Sequence, residues 1–316
     1  MAEAAPILVI TGPTASGKER LAGAVAERLG GEIVSADSMK VYRGLEIGTA
    51  KPSADERRAV PHHLLDVADP GETFSAARWL ALAEAAIADI HARGRVPVVS
   101  GGTPFYLKAL LEGLFEGPAA DPDLRRRLRA EAAERGSEHL HARLAEVDPA
   151  AARRIHPNDL RRLVRALEVF EKTGRPISDL QRQWGRRRGE WRPLVVAIRR
   201  HRDDLTGRIT ERVRRMLAAG LVDEVRGLLA SGTGLARGPR QALGYAEVLA
   251  HMAGDVAEDD LLPAIVAHTR QFARRQMTWL RRFEGVVWLD AGPGDPADAL
   301  ADRVVALWTR HMDVRE

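Results

Sequence analysis

The chain is 316 residues long, 45% hydrophobic and 29% charged, enough for one large domain or two ordinary ones with a sizeable core. It has no Cys, which excludes disulfides, thiolate zinc sites and cysteine nucleophiles, and no apolar run approaches the roughly 18 residues that a membrane span needs. The net charge of +4 hides an uneven distribution: from Arg125 to Arg188 there are 17 Lys or Arg against 9 Asp or Glu, while the remainder carries 31 against 35. Such a local excess reads either as a site for a polyanion or as an Arg-rich solvated helical face, and charge alone does not choose between them. The opening residues lack a basic leader, so a cytoplasmic protein is expected.

In chain order, the apolar run of residues 7–10 predicts a buried strand. It runs into Gly12, Pro13, Thr14, Ala15, Ser16, Gly17 and Lys18, and a helix is expected over residues 19–27. The spacing G-x-x-x-x-G-K between a strand and a helix start builds an anion cradle: loop N–H groups and the positive helix end face a diphosphate or triphosphate, and Lys18 adds a point charge. The next position is Glu19, where the motif carries a Ser or Thr hydroxyl that ligates Mg²⁺. Residues 32–35 predict a second strand, and this strand-helix-strand alternation implies a parallel sheet with ligands at its carboxyl edge. Asp37, after that strand, reads as the N-cap of the succeeding turn or as a functional acid; a carboxylate beside bound phosphates costs electrostatic energy unless it moves a proton or holds a metal. A third strand over residues 96–100 leads to Gly101, Gly102 and Thr103, where the paired glycines allow close backbone approach and leave a hydroxyl at the same edge. The adjacent His62 and His63 cannot grip one metal from a strand, because neighbours face opposite sides, and they read as loop or core residues. A helix is expected over residues 76–90, with Gly94 as its stop.

Near Gly117 the character changes to repeated Arg with Leu and Ala, predicting a helical insertion over residues 117–189. Its clearest helix spans residues 159–173, with Leu160, Leu163, Val164 and Leu167 on one face and Arg161, Arg162 and Arg165 off that stripe. Apolar runs at residues 194–198 and 286–289 predict a return to the sheet, so the core comprises residues 1–116 and 190–316. Between those runs, helices are expected over residues 205–217 and 221–229, separated by Gly220. Arg208, Arg212 and Arg215 recur there at i, i+4 and i+7, either toward the phosphate loop or as a solvated stripe. A long helix is expected over residues 262–283. The expected class is α/β, a parallel-sheet P-loop-type core with an inserted all-helical domain.

The cradle, the block from Asp37 to Pro52 (DSMKVYRGLEIGTAKP) and the string Gly101 to Tyr106 (GGTPFY) closely resemble the tRNA dimethylallyltransferase family, the bacterial tRNA isopentenyltransferases. The strings RRLVRALE from Arg161, GLVDEV from Gly220, QALGY from Gln241 and RQFARRQMTW from Arg270 carry the likeness almost to the C-terminus. The resemblance implies transfer of a dimethylallyl group from its diphosphate to N6 of the adenosine 3′-adjacent to the anticodon, with Mg²⁺ as cofactor and the anticodon stem-loop of tRNA as partner. It implies Asp37 as general base and Thr103 as the donor to the leaving diphosphate. It implies diphosphate contacts from Gly12 to Glu19, with Arg208 and Arg212 beside them, and at Glu19 the Mg²⁺ contact is a direct carboxylate, a water bridge or absent. It implies tRNA contacts from Asp37, Ser38, Met39, Lys40, Thr103, Arg125, Arg161, Arg162, Leu163, Val164, Arg165, Gln241, Gly244, Tyr245, Arg274 and Arg275. A monomer without membrane attachment is expected. Glu19 in place of the hydroxyl and Lys40 where the family often has Gln are the two departures. The phosphate loop is also that of nucleotide- and ATP-binding proteins, but a P-loop kinase needs the missing hydroxyl and has no use for the Arg125–Arg188 excess, and a plain RNA binder has no use for Asp37 and Thr103 beside an anion cradle.

Overall fold

A computed structural model describes residues 4–181 and 188–313, in two compact units, Met1–Leu111 with Gly189–Glu316, and Glu112–Arg188. The first contains one six-stranded sheet: β1 (Ala5–Thr11), β2 (Glu32–Ser35), β3 (His62–His63), β4 (Pro97–Gly101), β5 (Trp191–Arg199) and β6 (Val286–Asp290), in the order β3-β2-β4-β1-β5-β6. Every pairing is parallel. Alternation along β1 explains its unbroken apolar run: Ile7 and Val9 enter a core with Trp79, Ile87 and Leu107, while Leu8 and Ile10 enter a second core with Leu21, Val25 and Val304. Both faces of the sheet are therefore covered. β1 is flanked by β4 and β5, and the Thr11 hydroxyl donates to Gly101 O at 2.8 Å, so the ends of β1 and β4 are pinned together.

The apolar runs at residues 194–198 and 286–289 lie in β5 and β6, and β5 pairs with β1 from Ala5↔Trp191 to Thr11↔Ala197. His62 and His63 form a two-residue edge strand, not a loop; two residues are too few to carry an alternation signal. The side chains do diverge, His62 Nδ1 to Val60 O at 2.7 Å and His63 Nε2 to Glu32 at 2.7 Å. The long helix runs Glu258–Leu280, earlier than expected at both ends.

The second unit is all-helical: Pro122–Arg135, Ser137–Val147, Pro149–Arg154, Leu160–Thr173 and Ile177–Leu180. It runs from Glu112, the last residue of the helix Pro104–Glu112, a few residues before the compositional change near Gly117. The Leu160–Thr173 helix starts at Asp159, whose carboxylate accepts from Arg162 N, and stops at Gly174 with φ 67°. Leu163, Val164 and Leu167 pack with Leu128, Leu140 and Leu144. Three of the basic residues, Arg182, Arg186 and Arg187, lie outside the described residues.

Candidate active site

The phosphate loop closes as a left-handed nest. Gly17 has φ 93° and caps the Lys18–Leu29 helix with no side-chain bond, so the first helical N–H groups stay open to an anion. Gly12, at φ 156°, admits no side chain, since a Cβ there would lie 2.8 Å from Ser16 Oγ. That buried hydroxyl has no hydrogen-bond partner among the described residues, as expected of a group that waits for a ligand. Two arginines hold the loop from outside: Arg208 Nε donates to Ala15 O at 2.9 Å and Arg200 Nε to Ser16 O at 2.7 Å. Arg208 and Arg212 thus lie on the cradle side of the helix Arg202–Ala218, and both line a cavity of about 1480 Å³ with Ala15, Gly17 and Glu19. Arg215 lines it too, beside Glu211. Arg200, half of this grip, follows β5 in the run Arg199-Arg200-His201-Arg202, where no motif singles it out from its neighbours.

Asp37 and Thr103 meet at the strand ends. Asp37 Oδ1 accepts from Met39 N at 2.8 Å and Lys40 N at 3.3 Å, so this oxygen does cap the following turn, while Oδ2 takes no hydrogen bond among the described residues. Thr103 Oγ1 accepts from Ser38 N at 3.0 Å and lies 3.3 Å from Ser38 Oγ, stapling the acid's turn to β4. Gly101 and Gly102 make the approach possible: a Cβ would fall 2.2 Å from Ala36 O at the first and 2.5 Å from Gln276 Nε2 at the second. Gln276, buried in the Glu258–Leu280 helix, joins loop to strand: its Oε1 accepts from Thr14 N at 2.8 Å and its Nε2 donates to Gly102 O. No spacing rule marks it. A smaller cavity of about 290 Å³ is lined by Asp37, Lys40, Glu19, Ser100 and Lys51.

Electrostatically the cradle is crowded. Burial pushes the Lys18 ammonium below its ordinary value, against the nearby Glu19 and Asp37 carboxylates that support its charge. Burial opposes ionisation of Glu19 as well, but Lys18, Lys40 and Arg212 overcome it and hold the carboxyl well below the usual range. Glu19 Oε1 lies 3.4 Å from both Lys18 Nζ and Lys40 Nζ. Both ammonium groups meet Oε1, while Oε2 has no ion-pair partner among the described residues and Glu19 is 40% exposed, so the carboxylate keeps one oxygen of the kind Mg²⁺ takes.

Other expected contacts divide. Gln241, Arg274, Arg275, Arg161 and Arg162 are exposed. Lys40, Leu163, Val164, Gly244 and Tyr245 are buried, which corrects their expected place on an RNA surface. Lys40 serves Glu19, and Leu163 and Val164 serve the helical core. Tyr245 donates to Glu224 Oε1 at 2.6 Å, and burial together with Glu224 pushes its phenol far up, so it stays a donor. Glu224 in turn accepts from Glu46 N, Ile47 N and Gly48 N at 3.0, 2.7 and 3.3 Å. A Cβ on Gly48 would strike the Tyr245 ring at 2.3 Å. The QALGY string therefore anchors the loop that forms one wall of the large cavity. Arg125 and Arg165 are corrected too: Arg125 is bidentate to Glu168 at 2.8 Å on both oxygens, and Arg165 gives one bond to Glu168 at 2.6 Å and one to Pro118 O. Glu168 is fully buried, so both arginines turn inward.

Comparison with known proteins agrees. The model of the IPP transferase family matches residues 40–283. A tRNA dimethylallyltransferase of Anaeromyxobacter dehalogenans (strain 2CP-C) is 54% identical over 298 residues, 94% of this chain and 98% of that protein. One from Geobacter metallireducens is 50% identical over 284 residues, 90% and 92% of the two chains. The crystal structure of a tRNA isopentenylpyrophosphate transferase from Bacillus halodurans shares 36% identity with TM-score 0.72, covering 98% of this chain and 97% of that one. A eukaryotic dimethylallyltransferase captured acting on tRNA aligns with TM-score 0.82 at 27% identity, over 99% of this chain and 81% of that one. With an open anion cradle, a free carboxylate oxygen and a hydroxyl at one sheet edge, and matches of this extent, the chain belongs to the IPP transferase family of prenyl-transferring enzymes.

Proposed function

We propose that this chain transfers the dimethylallyl group of dimethylallyl diphosphate to N6 of the adenosine 3′-adjacent to the anticodon in tRNAs, giving N6-isopentenyladenosine and diphosphate. The observation that carries this reading is the free Asp37 Oδ2 stapled through Ser38 to Thr103 beside the open N–H groups of the Gly17 helix start. The diphosphate sits on the loop, with Lys18, Arg208 and Arg212 balancing its charge and the Ser16 hydroxyl as a further donor. The N6 nitrogen attacks the allylic carbon, the carbon–oxygen bond breaks, and the electron pair leaves with the diphosphate. Thr103 donates to the oxygen that gains this charge, and Asp37 takes the proton released from N6. The turn bonds to Oδ1 aim Oδ2 without consuming it, which supports a base over a plain cap.

Mg²⁺ enters this reading as a companion of the diphosphate, and Glu19, through its second carboxylate oxygen, is the side chain of the loop that would hold it. The tRNA partner is taken at its anticodon stem-loop, with exposed arginines such as Arg161, Arg162, Arg274 and Arg275 meeting phosphates. Loop, acid and hydroxyl all come from one chain, which supports a monomer as the working unit, and a tRNA substrate supports a cytoplasmic place of work. The test is incubation with labelled dimethylallyl diphosphate and total tRNA, then digestion to nucleosides. Label in an N6-substituted adenosine supports the reading; intact tRNA without label, from a folded protein that binds diphosphate, contradicts it.

A further inference from the structure

The two arginines that grip the phosphate loop have their charges answered differently. Arg208 lines the large cavity and has no ion-pair partner among the described residues. Arg200 lines neither cavity and is paired with Asp204, Nη1 to Oδ2 at 3.0 Å, the two side chains being 5% and 10% exposed. Its fork joins three segments: Nε donates to Ser16 O at 2.7 Å, and Nη1 donates both to Asp204, in the first turn of the helix Arg202–Ala218, and to Gly292 O at 2.9 Å, just beyond β6. The guanidinium lies against the last glycine of the loop, for a Cβ on Gly17 would fall 3.7 Å from Arg200 Nη2 and 3.3 Å from Arg208 Nη2. In a planar trans peptide the C=O and the N–H point opposite ways. Arg200 takes Ser16 O from outside, so the N–H of the same peptide, that of Gly17, is turned toward the concave side of the nest. This N–H has no acceptor among the described residues, whereas Ser16 N, one peptide earlier, is closed by Pro13 O at 3.2 Å. Of the two arginines, Arg200 is therefore the one whose grip aims an unspent donor.

We propose that Arg200, oriented by Asp204, is a positioning residue for the diphosphate: without touching the ligand it holds the Ser16 peptide so that the Gly17 N–H faces the anion, and it leaves Arg208 to meet the phosphates. The inference deepens the reading above and rests on the diphosphate occupying the loop. A planar fork is needed, because one side chain must hold a loop carbonyl, a carboxylate and a second carbonyl in fixed directions, which the point charge of Lys does not do. Asp204 keeps the fork in place, and its charge also supports that of Arg208, which burial and the neighbouring Arg200 push below its ordinary value. Stability alone does not account for the pair, since a buried ion pair is often replaced by apolar side chains at no loss.

The test is calorimetric titration of inorganic diphosphate into the wild type, Arg200→Lys, Arg200→Met and the double variant Arg200→Met/Asp204→Leu, with thermal melting and tRNA binding measured beside it. Arg200→Lys and Arg200→Met should each lose roughly tenfold in diphosphate affinity, the scale of one charged hydrogen bond, while tRNA affinity stays within about threefold. Arg200→Met should also melt lower, because Asp204 is left buried and unpaired. The double variant should regain the melting temperature, since both charges go together, and still bind diphosphate as weakly as Arg200→Met does. That separation of affinity from stability marks a positioning role. If a single variant does not fold, the double variant decides alone. Diphosphate affinity that returns with stability in the double variant assigns the pair to structure and overturns the proposal. Full affinity in Arg200→Lys overturns it too, by making the charge sufficient. Wild-type binding that no variant weakens refutes the proposal alone, whereas a folded wild type that takes up no diphosphate refutes the reading of the site and the proposal with it.

Discussion

The surroundings of the phosphate loop, with Lys18, Lys40, Arg208 and Arg212, and the Leu160–Thr173 helix both gather positive charge, yet they use it in opposite ways. At the loop the donors are left unspent: the helix start is uncapped, Ser16 Oγ is unpaired, and Lys18 shares a single carboxylate oxygen with Lys40. In the helical unit the charge is largely spent at home. Arg125 and Arg165 clasp Glu168, Arg127 and Arg143 meet Glu171, and Arg143 also meets Glu131. Of the cations on the helix itself, Arg161 has no ion-pair partner among the described residues. A charge count therefore overstates what the helical unit offers a polyanion. What matters is which cations lack a carboxylate.

A graded set of variants tests that contrast. The largest effect is expected at Glu168, whose loss strands Arg125 and Arg165 and the Asp121 N–H that it accepts at 2.8 Å. Glu168→Ala should cost about 3–5 kcal/mol in denaturant unfolding, the scale of breaking a buried pair. Burial opposes the Glu168 charge, but Arg125, the Asp121 N–H and Arg165 hold its carboxyl below the ordinary value. A depressed folded-state pKa contributes stability that is complete above the unfolded carboxylate range, near 4.3, and is lost as pH falls through the folded value. The wild type should thus lose stability in mild acid more steeply than Glu168→Gln does, and parallel curves would show that the clasp is not ionic.

Next comes Asp37→Asn, which keeps Oδ1 as an acceptor for the turn and removes the base. It should lower kcat by roughly 10²-fold or more with tRNA affinity little changed; loss of tRNA binding with kcat intact would make Asp37 a positioning residue. Gln276→Ala should be milder. It frees Thr14 N and Gly102 O, so diphosphate affinity should fall by about 1 kcal/mol, the net worth of one hydrogen bond, read by calorimetry. The smallest effect is at Arg161: Arg161→Ala should leave unfolding unchanged and reduce the slope of log tRNA affinity against log salt by about 1, whereas Arg165→Ala should reduce stability instead. Identical behaviour of the two would erase the distinction between spent and unspent cations.

Legibility in the sequence divides along the same line. The cradle, the strand ends carrying Asp37 and Thr103, and the return to the sheet at β5 and β6 are legible because backbone dictates them: glycine spacing, apolar runs and parallel connectivity are local signals. Gln276 is not, since its partners Thr14 and Gly102 are 262 and 174 residues away. Tyr245 and Glu224 escape for the same reason, their task being to support Gly48 from beneath. Arg125 and Arg165 look free in the sequence because the carboxylate that claims them is known only once the helix faces are packed. Leu163 and Val164 are different, for the apolar periodicity of their helix is itself enough to send them inward. Placing them at an RNA surface comes from carrying a whole string across by resemblance when only its charged positions can reach a ligand.

The unspent edge is assigned one task, transfer to a single exocyclic amine. Its sharpest check compares two synthetic anticodon stem-loops that differ only at the nucleotide 3′ of the anticodon, adenosine in one and guanosine in the other, each incubated with labelled dimethylallyl diphosphate and digested to nucleosides. Label is expected in N6-isopentenyladenosine from the first and none from the second. Equal labelling of both, or none in either from an enzyme that binds stem-loop and diphosphate, would contradict that assignment.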